Sequence, residues 1–258
     1  MKMNINRAFL VVATFLLSAC FFEIEKPLPS CDLSVATINV TEKNTSFDKV
    51  AAEILALNAD VVMLSDIGEG WKQLENAVSI QYKTHFLTEP FEGKTFRLAF
   101  LTKTEIKVAK VAERNENYLS GMPGSVAKLG ILSLTVKGES VVLLTMNPVQ
   151  YRRFVTLYSG TISDGLFYFK SPEAQIENEK VIWGGSFEFT PLMKIYGRFE
   201  KSGLVDSFTA DKNPYNVTEN NSSRTDYLFS SKQIKCVFSG TFKVTGSNHR
   251  GVVAGYNF

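Results

Sequence analysis

The segment VIWGGSFEFTP, residues 181–191, decides how this chain is interpreted. Its first three residues form an apolar run typical of buried strands, and the two glycines that follow permit a tight backbone path. Ser186 and Glu188 are polar side chains two residues apart, and Thr190-Pro191 has the composition of a helix start. The segment therefore predicts a buried strand that ends in a polar loop, where proteins often carry functional side chains.

Strand and helix patterns alternate along the rest of the chain. A helix is predicted after a Thr45 or Ser46 cap and before Asn58-Ala59-Asp60, with apolar positions Phe47, Val50, Ala51, Ile54 and Leu57. A second helix is predicted from Thr190-Pro191 to Gly203. Strands are predicted at Val35–Val40, Val61–Leu64, Arg97–Thr102, Ile131–Val136, Val141–Met146, Arg224–Ser230, Ile234–Phe238 and Val252–Tyr256. Because strands occur both as neighbours and in β-α-β order, we expect an α/β fold with mixed sheets covered by helices.

The N-terminus has the composition of an export signal. Lys2 and Arg7 accompany the apolar run Ala8–Leu17, which is too short to span a bilayer. Small residues precede Cys20, and the sequence Leu-Ser-Ala-Cys resembles the bacterial lipobox. This resemblance implies cleavage before Cys20 and several acyl chains on that residue, which make a stable anchor. An ordinary signal peptide with a chance cysteine is the alternative.

The chain accordingly divides into three parts. We expect a lipoprotein signal peptide over 1–19, a lipidated cysteine with a proline-containing tether over 20–30, and one domain over 31–258. Phe21, and not an acid, follows Cys20. By resemblance to the Gram-negative sorting rule, this favours the outer membrane of a bacterial cell envelope.

The mature chain carries no net formal charge. The sequence has 28 basic and 26 acidic residues, and the signal removes Lys2, Arg7 and no acid, which leaves 26 of each. A protein that grips a nucleic-acid backbone usually has a basic stripe, because neutralised phosphates release counterions. Arg152-Arg153 is the local candidate, and we interpret it as a solvated helix face. The charge argues against nucleic acid, leaves a small phosphate ester open, and identifies no protein partner.

Two cysteines remain in the predicted domain. The oxidising periplasm would permit Cys31 and Cys236 to form a disulfide. A sequence does not show whether two cysteines lie close enough for this bond. The Cys31–Cys236 pairing is therefore left open.

Seven short motifs follow one another along the chain. They are Thr37-Ile38-Asn39, Ala59-Asp60-Val61-Val62-Met63-Leu64-Ser65-Asp66-Ile67, Leu143-Leu144-Thr145-Met146-Asn147, Gly185-Ser186-Phe187-Glu188, Gly203-Leu204-Val205-Asp206-Ser207, Arg224-Thr225-Asp226-Tyr227-Leu228-Phe229 and Ser247-Asn248-His249-Arg250. In type and order they resemble the motifs of the endonuclease/exonuclease/phosphatase superfamily, the deoxyribonuclease-I-like proteins. The resemblance covers essentially the whole predicted domain. It implies a four-layer α/β/β/α sandwich, with two mixed, mostly antiparallel sheets flanked by helices.

The resemblance also implies a reaction, which is hydrolysis of a phosphate ester by an activated water. Mg²⁺, or Mn²⁺, would serve as the Lewis acid and would need hard oxygen ligands. On this basis the metal ligands would be Asp66, which stands where the superfamily has a glutamate, and Asn248, which stands where it has an aspartate. Asn39, Asp226 and His249 match the superfamily's residue types and would be catalytic.

Four positions depart from the superfamily's pattern in charge or basicity. Met146 replaces a histidine, Ser186 and Asn248 replace aspartates, and Glu188 replaces an asparagine. A serine hydroxyl is not a general base near neutral pH, and a thioether does not donate a strong hydrogen bond to a phosphate oxygen. We interpret Met146 and Ser186 as positions where catalytic function is lost.

The residues that remain allow structural as well as catalytic interpretations. Asp226 orienting His249 is a familiar carboxylate–imidazole arrangement, but the pair also serves as a satisfied contact between strands. Asp66 is either a lone metal ligand or a cap of the following loop, and Asn39 is either a site residue or a buried structural amide. His85 lies outside every motif, and we expect it to be uninvolved.

Glu188 keeps an enzymatic interpretation open. Residues 186 and 188 point to the same side of an extended segment, so this carboxylate extends toward the space beside Ser186. With Asp66 and Asp226 it would place three acids in one cleft and allow a metal site of altered geometry. Glu188 is therefore counted with the catalytic residues if the protein is active.

We expect a lipid-anchored pseudoenzyme or binding protein that requires no cofactor. The alternative is a divergent Mg²⁺-dependent phosphoesterase that uses Asp66, Glu188, Asp226 and His249. A third interpretation, an envelope structural protein that has no use for the cleft, cannot be separated from the first by sequence.

Overall fold

Twelve strands and four helices are seen in the part of the protein that the computed structural model describes. That part comprises residues 24, 27–41, 43–86, 97–117, 126–147, 180–187, 189–193, 196–201, 203–210, 217–219 and 223–258. The strands are β1 (Leu33–Asn39), β2 (Val61–Ile67), β3 (Tyr82–Phe86), β4 (Arg97–Lys103), β5 (Lys107–Asn117), β6 (Val126–Val136), β7 (Glu139–Asn147), β8 (Lys180–Ser186), β9 (Leu204–Asp206), β10 (Asp226–Ser231), β11 (Lys235–Lys243) and β12 (Arg250–Asn257). The helices are α1 (Phe47–Leu57), α2 (Trp71–Val78), α3 (Tyr196–Lys201) and α4 (Ser207–Ala210).

The strands form two six-stranded sheets. The first sheet has the order β11-β12-β1-β2-β4-β3, and the second has the order β5-β6-β7-β8-β10-β9. Only β1 with β2 and β7 with β8 pair in parallel among the described strands. The sheets are therefore mixed and mostly antiparallel, which confirms the predicted fold class.

The two sheets face each other across an apolar core. Successive side chains of a strand point to opposite faces, so every second residue enters this core. The first sheet contributes Val35 and Phe100, and the second contributes Leu143 and Ile182, all of them buried. Burial of these faces holds the sheets together, because removing apolar surface from water is favourable.

Helix α1 covers the outer face of the first sheet, together with α2. The prediction for α1 is confirmed in its bounds, in its left-handed Asn58 cap and in its buried positions. Ser46 occupies the N-cap position, but its side chain makes no capping hydrogen bond. The buried positions are Phe47, Val50, Ala51, Ile54 and Leu57.

An aromatic cluster covers the outer face of the second sheet. Phe187 makes edge-on contacts with Trp183 and Phe199, and Tyr227 stacks on Phe229 with ring centroids 5.2 Å apart. Helix α3 closes this cluster with Tyr196 and Phe199. The order helix, sheet, sheet, helix gives the predicted four layers.

The helix predicted from Thr190-Pro191 begins later than expected. Thr190 to Met193 form a turn, closed by a 3.0 Å hydrogen bond from the Met193 amide to the Thr190 carbonyl, and α3 begins at Tyr196. Leu192 is 97% exposed, whereas Tyr196 is buried in the aromatic cluster. The Thr-Pro signal is thus followed by a turn, and the helical residue Tyr196 packs in the aromatic cluster.

The segment predicted as a tether contains a docked residue. Ile24 is 9% exposed and packs in the core under α1, and its amide donates to the Thr241 carbonyl at 2.8 Å. Cys20 and the predicted signal lie outside the described residues. Among the helices of the described ranges, none combines the length and hydrophobicity needed to cross a membrane.

Cys31 and Cys236 are not joined by a disulfide. Strand β12 separates them, because Tyr256 pairs with Cys236 on one side and with Leu33 on the other. Cys31 packs in the core under α1, whereas Cys236 packs in the core between the sheets. The two side chains thus lie on opposite faces of one sheet, and a bond between them would require the backbone to move.

At Gly184 the backbone of β8 lies close to the side chains of the first sheet. A Cβ atom at this position would lie 2.7 Å from the Met63 sulfur and 2.7 Å from the Leu228 Cδ2 atom. Both neighbours belong to the core between the sheets. A side chain at this position would therefore displace the ends of the Met63 and Leu228 side chains.

We expect Gly184→Ala to lower the free energy of unfolding by about 1–3 kcal/mol, because overpacking forces the neighbouring side chains to shift. Urea titration measures this change. Gly197→Ala in α3 is the matched control, since no described heavy atom lies within 4 Å of its added Cβ. The control should be neutral or stabilising by up to about 1 kcal/mol. Equal effects of the two changes would contradict the close approach at Gly184.

Candidate functional site

The inner faces of both sheets change from apolar to polar toward one end of the sandwich. On β1 the inward series continues from Val35 to Thr37 and Asn39, and on β8 it continues from Ile182 to Ser186. The polar members are nearly inaccessible, with Asn39 at 5% and Ser186 at 2% exposure. This polar end of the sandwich is the candidate site.

Asp226 and His249 form a buried pair at this end. His249 Nδ1 lies 2.9 Å from Asp226 Oδ2, and the side chains are 6% and 2% exposed. Because a carboxylate only accepts hydrogen bonds, the ring donates from Nδ1, and this fixes its tautomer. The Thr225 hydroxyl also donates to Asp226 Oδ2, at 3.2 Å. The structure thus brings together the two residues that the sequence predicted to act as a pair.

Thr218 holds this pair between two strands. Its hydroxyl oxygen accepts hydrogen bonds from the Thr225 amide at 2.9 Å and from the Asp226 amide at 3.0 Å. Its carbonyl accepts from the Arg250 amide at 2.6 Å. Thr218 therefore joins the start of β10 to the start of β12. Sequence reasoning missed this residue, because it lies outside all the recognised motifs.

Asn39 and Asp66 form a second pair on the first sheet. Asn39 Nδ2 donates to Asp66 Oδ2 at 2.7 Å, and Asn39 Oδ1 accepts from the Thr41 amide at 2.9 Å. Asp66 has a left-handed backbone, with φ of 51°, at an irregularity in the pairing of β2 with β4 between Leu64 and Ile67. Such an irregularity redirects a side chain at the end of a strand.

Ser247 joins the two pairs into one network. Its hydroxyl donates to the Asn39 carbonyl at 2.8 Å and accepts from the His249 amide at 3.0 Å. Thr41 Oγ1 lies 2.9 Å from Ser247 Oγ and donates to Asn248 Oδ1 at 3.0 Å. The structure therefore gathers the predicted Asn39, Asp66, Asp226, Asn248 and His249 at one end of the sandwich. The Ser-Asn-His motif indicated this region, but not the joining role of its serine.

Ser186 lies directly opposite Asp226. The two residues are partners in the antiparallel pairing of β8 with β10. Directly paired residues have Cβ atoms about 4.5–5.5 Å apart, so an aspartate at position 186 would face a second carboxylate. A serine at this position avoids such repulsion, and it offers no carboxylate that could accept a proton.

Of the predicted site positions, Met146 is described only in its backbone, and Glu188 is not described. Met146 pairs with Gly185 in the parallel register of β7 with β8, which places its backbone beside the end of β8. Its side chain and the whole of Glu188 lie outside the described residues. His85 lies on the edge strand β3 of the first sheet, paired with Phe100, and burial lowers the pKa of its ring.

The described residues only partly fit a divalent metal ion. Asp66, Asn39 and Asn248 supply the hard oxygens that Mg²⁺ prefers, and the network holds them together. One Asp66 oxygen already accepts from Asn39, and the Asn248 oxygen already accepts from Thr41. Within the described ranges, no three His, Cys, Asp or Glu side chains converge on one point. Asp66 is thus the residue that would hold Mg²⁺, with amide oxygens beside it.

A buried ion pair supports the second sheet next to the site. Arg224 contacts Asp206 through Nη2, and both side chains are almost fully buried. Asp206 also accepts from the Tyr196 hydroxyl at 2.8 Å and from the Phe208 amide at 3.0 Å. The Arg224 guanidinium lies 4.6 Å from the ring centroid of Tyr227. Both charged residues belong to the recognised motifs, but the sequence did not predict that they form an ion pair 18 positions apart.

Solved structures resemble this architecture over most of the chain. No protein-family model and no curated protein sequence matches the chain. An endonuclease/exonuclease/phosphatase family protein from Leptotrichia buccalis has a TM-score of 0.70 and 18% identity, covering 88% of this chain and 100% of that chain. The fold is deoxyribonuclease-I-like.

Two further structures support this assignment. A mannosyl-6-phosphatase from Bacteroides thetaiotaomicron has a TM-score of 0.68 and 16% identity, covering 88% of this chain and 100% of that chain. TDP2 from Caenorhabditis elegans has a TM-score of 0.68 and 16% identity, covering 86% of this chain and 73% of that chain. The resemblance predicted from the motifs is confirmed as a deoxyribonuclease-I-like fold, and activity has to be argued from the site itself.

Alkaline pH should weaken the deoxyribonuclease-I-like sandwich through Tyr196. Burial, with a contribution from Asp206, raises the pKa of Tyr196 from 10.0 to about 12. The unfolded chain therefore loses this proton at a lower pH than the native protein does. The resulting stability is fully present below pH 10 and is lost as the pH rises toward about 12.

Tyr196→Phe removes the titrating hydroxyl and should make the fall of the melting temperature shallower in that pH range. The variant should also lose about 1 kcal/mol at neutral pH, because the hydrogen bond to Asp206 is gone. Melting temperatures of both proteins at a series of pH values measure the two effects. Parallel curves above pH 10 would show that Tyr196 does not titrate as expected.

Proposed function

We propose that this protein is a lipid-anchored pseudoenzyme, in which the deoxyribonuclease-I-like cleft serves binding and not hydrolysis. The observation that carries the proposal is the position of Ser186, which is 2% exposed and directly opposite Asp226. This is the position where the resemblance implies the aspartate that activates water. A serine hydroxyl cannot take that proton near neutral pH.

The contacts of the remaining polar residues support this proposal. Asp226 accepts from His249 and Thr225, and its amide donates to Thr218. These contacts tie β10 to β12, so the pair has a structural use without catalysis. Catalytic groups must be held within about 0.5 Å of productive geometry, a tolerance that four altered positions rarely satisfy.

A divergent metal-dependent phosphoesterase is the second candidate. The observation that favours it is the 2.9 Å contact between Asp226 and His249, together with Asp66 in the same network. Glu188 would supply the missing acid, with Mg²⁺ or Mn²⁺ as the Lewis acid. One similar structure is a mannosyl-6-phosphatase, which makes a small phosphate ester the substrate class to test first.

Hydrolysis of bis-p-nitrophenyl phosphate, a diester, and of p-nitrophenyl phosphate, a monoester, separates the two candidates. We expect the mature chain to show no turnover in the presence of Mg²⁺ or Mn²⁺, and Glu188→Ala to be indistinguishable from it. The positive control restores the superfamily's residues through Met146→His, Ser186→Asp, Glu188→Asn and Asn248→Asp. A restored general base should raise the rate about 10²-fold or more. Metal-dependent turnover that the unaltered chain shows and Glu188→Ala loses would overturn the pseudoenzyme proposal.

The proposed anchor is the lipid on Cys20, which would attach the protein to a bacterial outer membrane. The lipobox-like sequence before Cys20 and the non-acidic Phe21 after it support this location. Several acyl chains contribute about 0.8 kcal/mol per buried CH₂, so the protein would remain with the membrane.

Cys20→Ala should release the protein from the bilayer. The unaltered chain, expressed in a Gram-negative host, should partition into the detergent-rich phase and sediment with outer-membrane vesicles. The alanine variant should lack both properties, because no thiol remains to accept the diacylglyceryl group. Cys31→Ala is the matched control and should behave as the unaltered chain does. Membrane association that survives Cys20→Ala would contradict the proposed anchor.

A further inference from the structure

Ile24 is seated on the hairpin formed by β11 and β12. Its amide donates to the Thr241 carbonyl at 2.8 Å, and its side chain is 9% exposed. A Cβ atom at Gly240 would lie 3.0 Å from the Ile24 Cβ and 3.0 Å from its Cδ1, so the glycine provides the space for this contact. The chain is therefore held against the domain four residues after Cys20.

The same hairpin carries part of the candidate site. Lys243 at the end of β11 pairs with Arg250 at the start of β12, and the turn between them contains Ser247, Asn248 and His249. Asn248 is exposed, whereas His249 is buried. The element that holds Ile24 therefore also carries part of the candidate site.

Covalent geometry limits the distance between the anchor and this hairpin. An extended chain spans at most about 3.6 Å per residue, so Cys20 lies within about 14 Å of Ile24. A free tether over 20–30 would reach more than twice as far. Docking of Ile24 thus converts a long tether into a short one.

We propose that Ile24 acts as a clamp that holds the β11 edge of the sandwich, and with it the rim of the cleft, against the phospholipid headgroups. This inference rests on the proposed lipid anchor at Cys20. Strand β11 contains Lys235 and Lys243, both exposed, and no acidic residue, so its own side chains favour an anionic headgroup surface, whereas Glu23 and Glu25 flank Ile24 in the sequence. The cleft would then meet ligands that the membrane surface presents, such as lipid phosphates.

Probes placed on the two edge strands of the first sheet, β11 and β3, test this proposal. Five strand spacings of about 4.8 Å separate β11 from β3, a distance of about 24 Å. Lys243 on β11 and Lys83 on β3 are both exposed and are matched positions for probes. Only the β11 position should lie near the bilayer.

The experiment uses the lipid-modified full chain in vesicles that contain anionic phospholipid and a spin-labelled headgroup. Cys31 and Cys236 are replaced by alanine, and a bimane probe is attached at Lys243→Cys or Lys83→Cys. We expect the spin label to quench the Lys243→Cys probe several-fold more strongly than the Lys83→Cys probe. Equal quenching of the two probes would overturn the clamp.

Two variants and one insertion test whether Ile24 is responsible. Gly240→Val should displace Ile24, and Ile24→Ser should weaken its seat without adding bulk to the sheet. A Gly/Ser-rich insertion after Phe22 should lengthen the tether and leave the seat intact. Each change should reduce the difference in quenching while the protein stays bound to vesicles and keeps its circular dichroism spectrum. An unchanged difference in all three would refute the clamp.

Vesicle binding is measured in the same samples and separates the two proposals. Binding without a difference between the probes would leave the anchor in place and overturn the clamp. Failure of the full chain to bind vesicles would overturn the anchor and the clamp with it.

Discussion

The contact between the inner faces of the two sheets is the interaction on which the rest of this structure depends. At Gly184 the strand β8 lies so close to Met63 that a side chain would overlap it. This contact sets the positions of β8 and β10 relative to β1. The polar ends of these strands therefore meet at one end of the sandwich, and every distance in the candidate site follows from that arrangement.

The hydrogen-bond network at the polar end of the sandwich has a structural role of its own. Asp226, His249 and Thr218 tie β10 to β12, and Ser247 ties that unit to Asn39 on the first sheet. Buried polar groups are costly unless they are paired, so each member supports its neighbours. Such a network has a structural reason to be retained whether or not a phosphate ester is hydrolysed beside it.

Local sequence patterns predicted those helices and strands in which buried residues recur at a regular spacing. The apolar spacing of α1 gave its bounds and buried residues, because one helical face meets one sheet. The strands β3 and β5 and the helix α2 were not predicted, although Trp71, Leu74 and Val78 of α2 follow helical spacing. The start of α3 was placed too early, since the Thr-Pro signal is followed by a turn. Thr218 and Ile24 had no local signal, since their roles arise from contacts with distant strands.

The chemical character of the site follows from the amino-acid sequence alone. A serine at position 186 and a methionine at position 146 lack a carboxylate and an imidazole in any conformation. Which residues meet was settled by the folded chain, since Asp226 contacts His249 across 23 positions and Ser247 contacts Asn39 across 208. The docking of Ile24 was settled in the same way. These contacts depend on strand register and on the packing of two sheets, which are properties of the whole chain and not of any short segment.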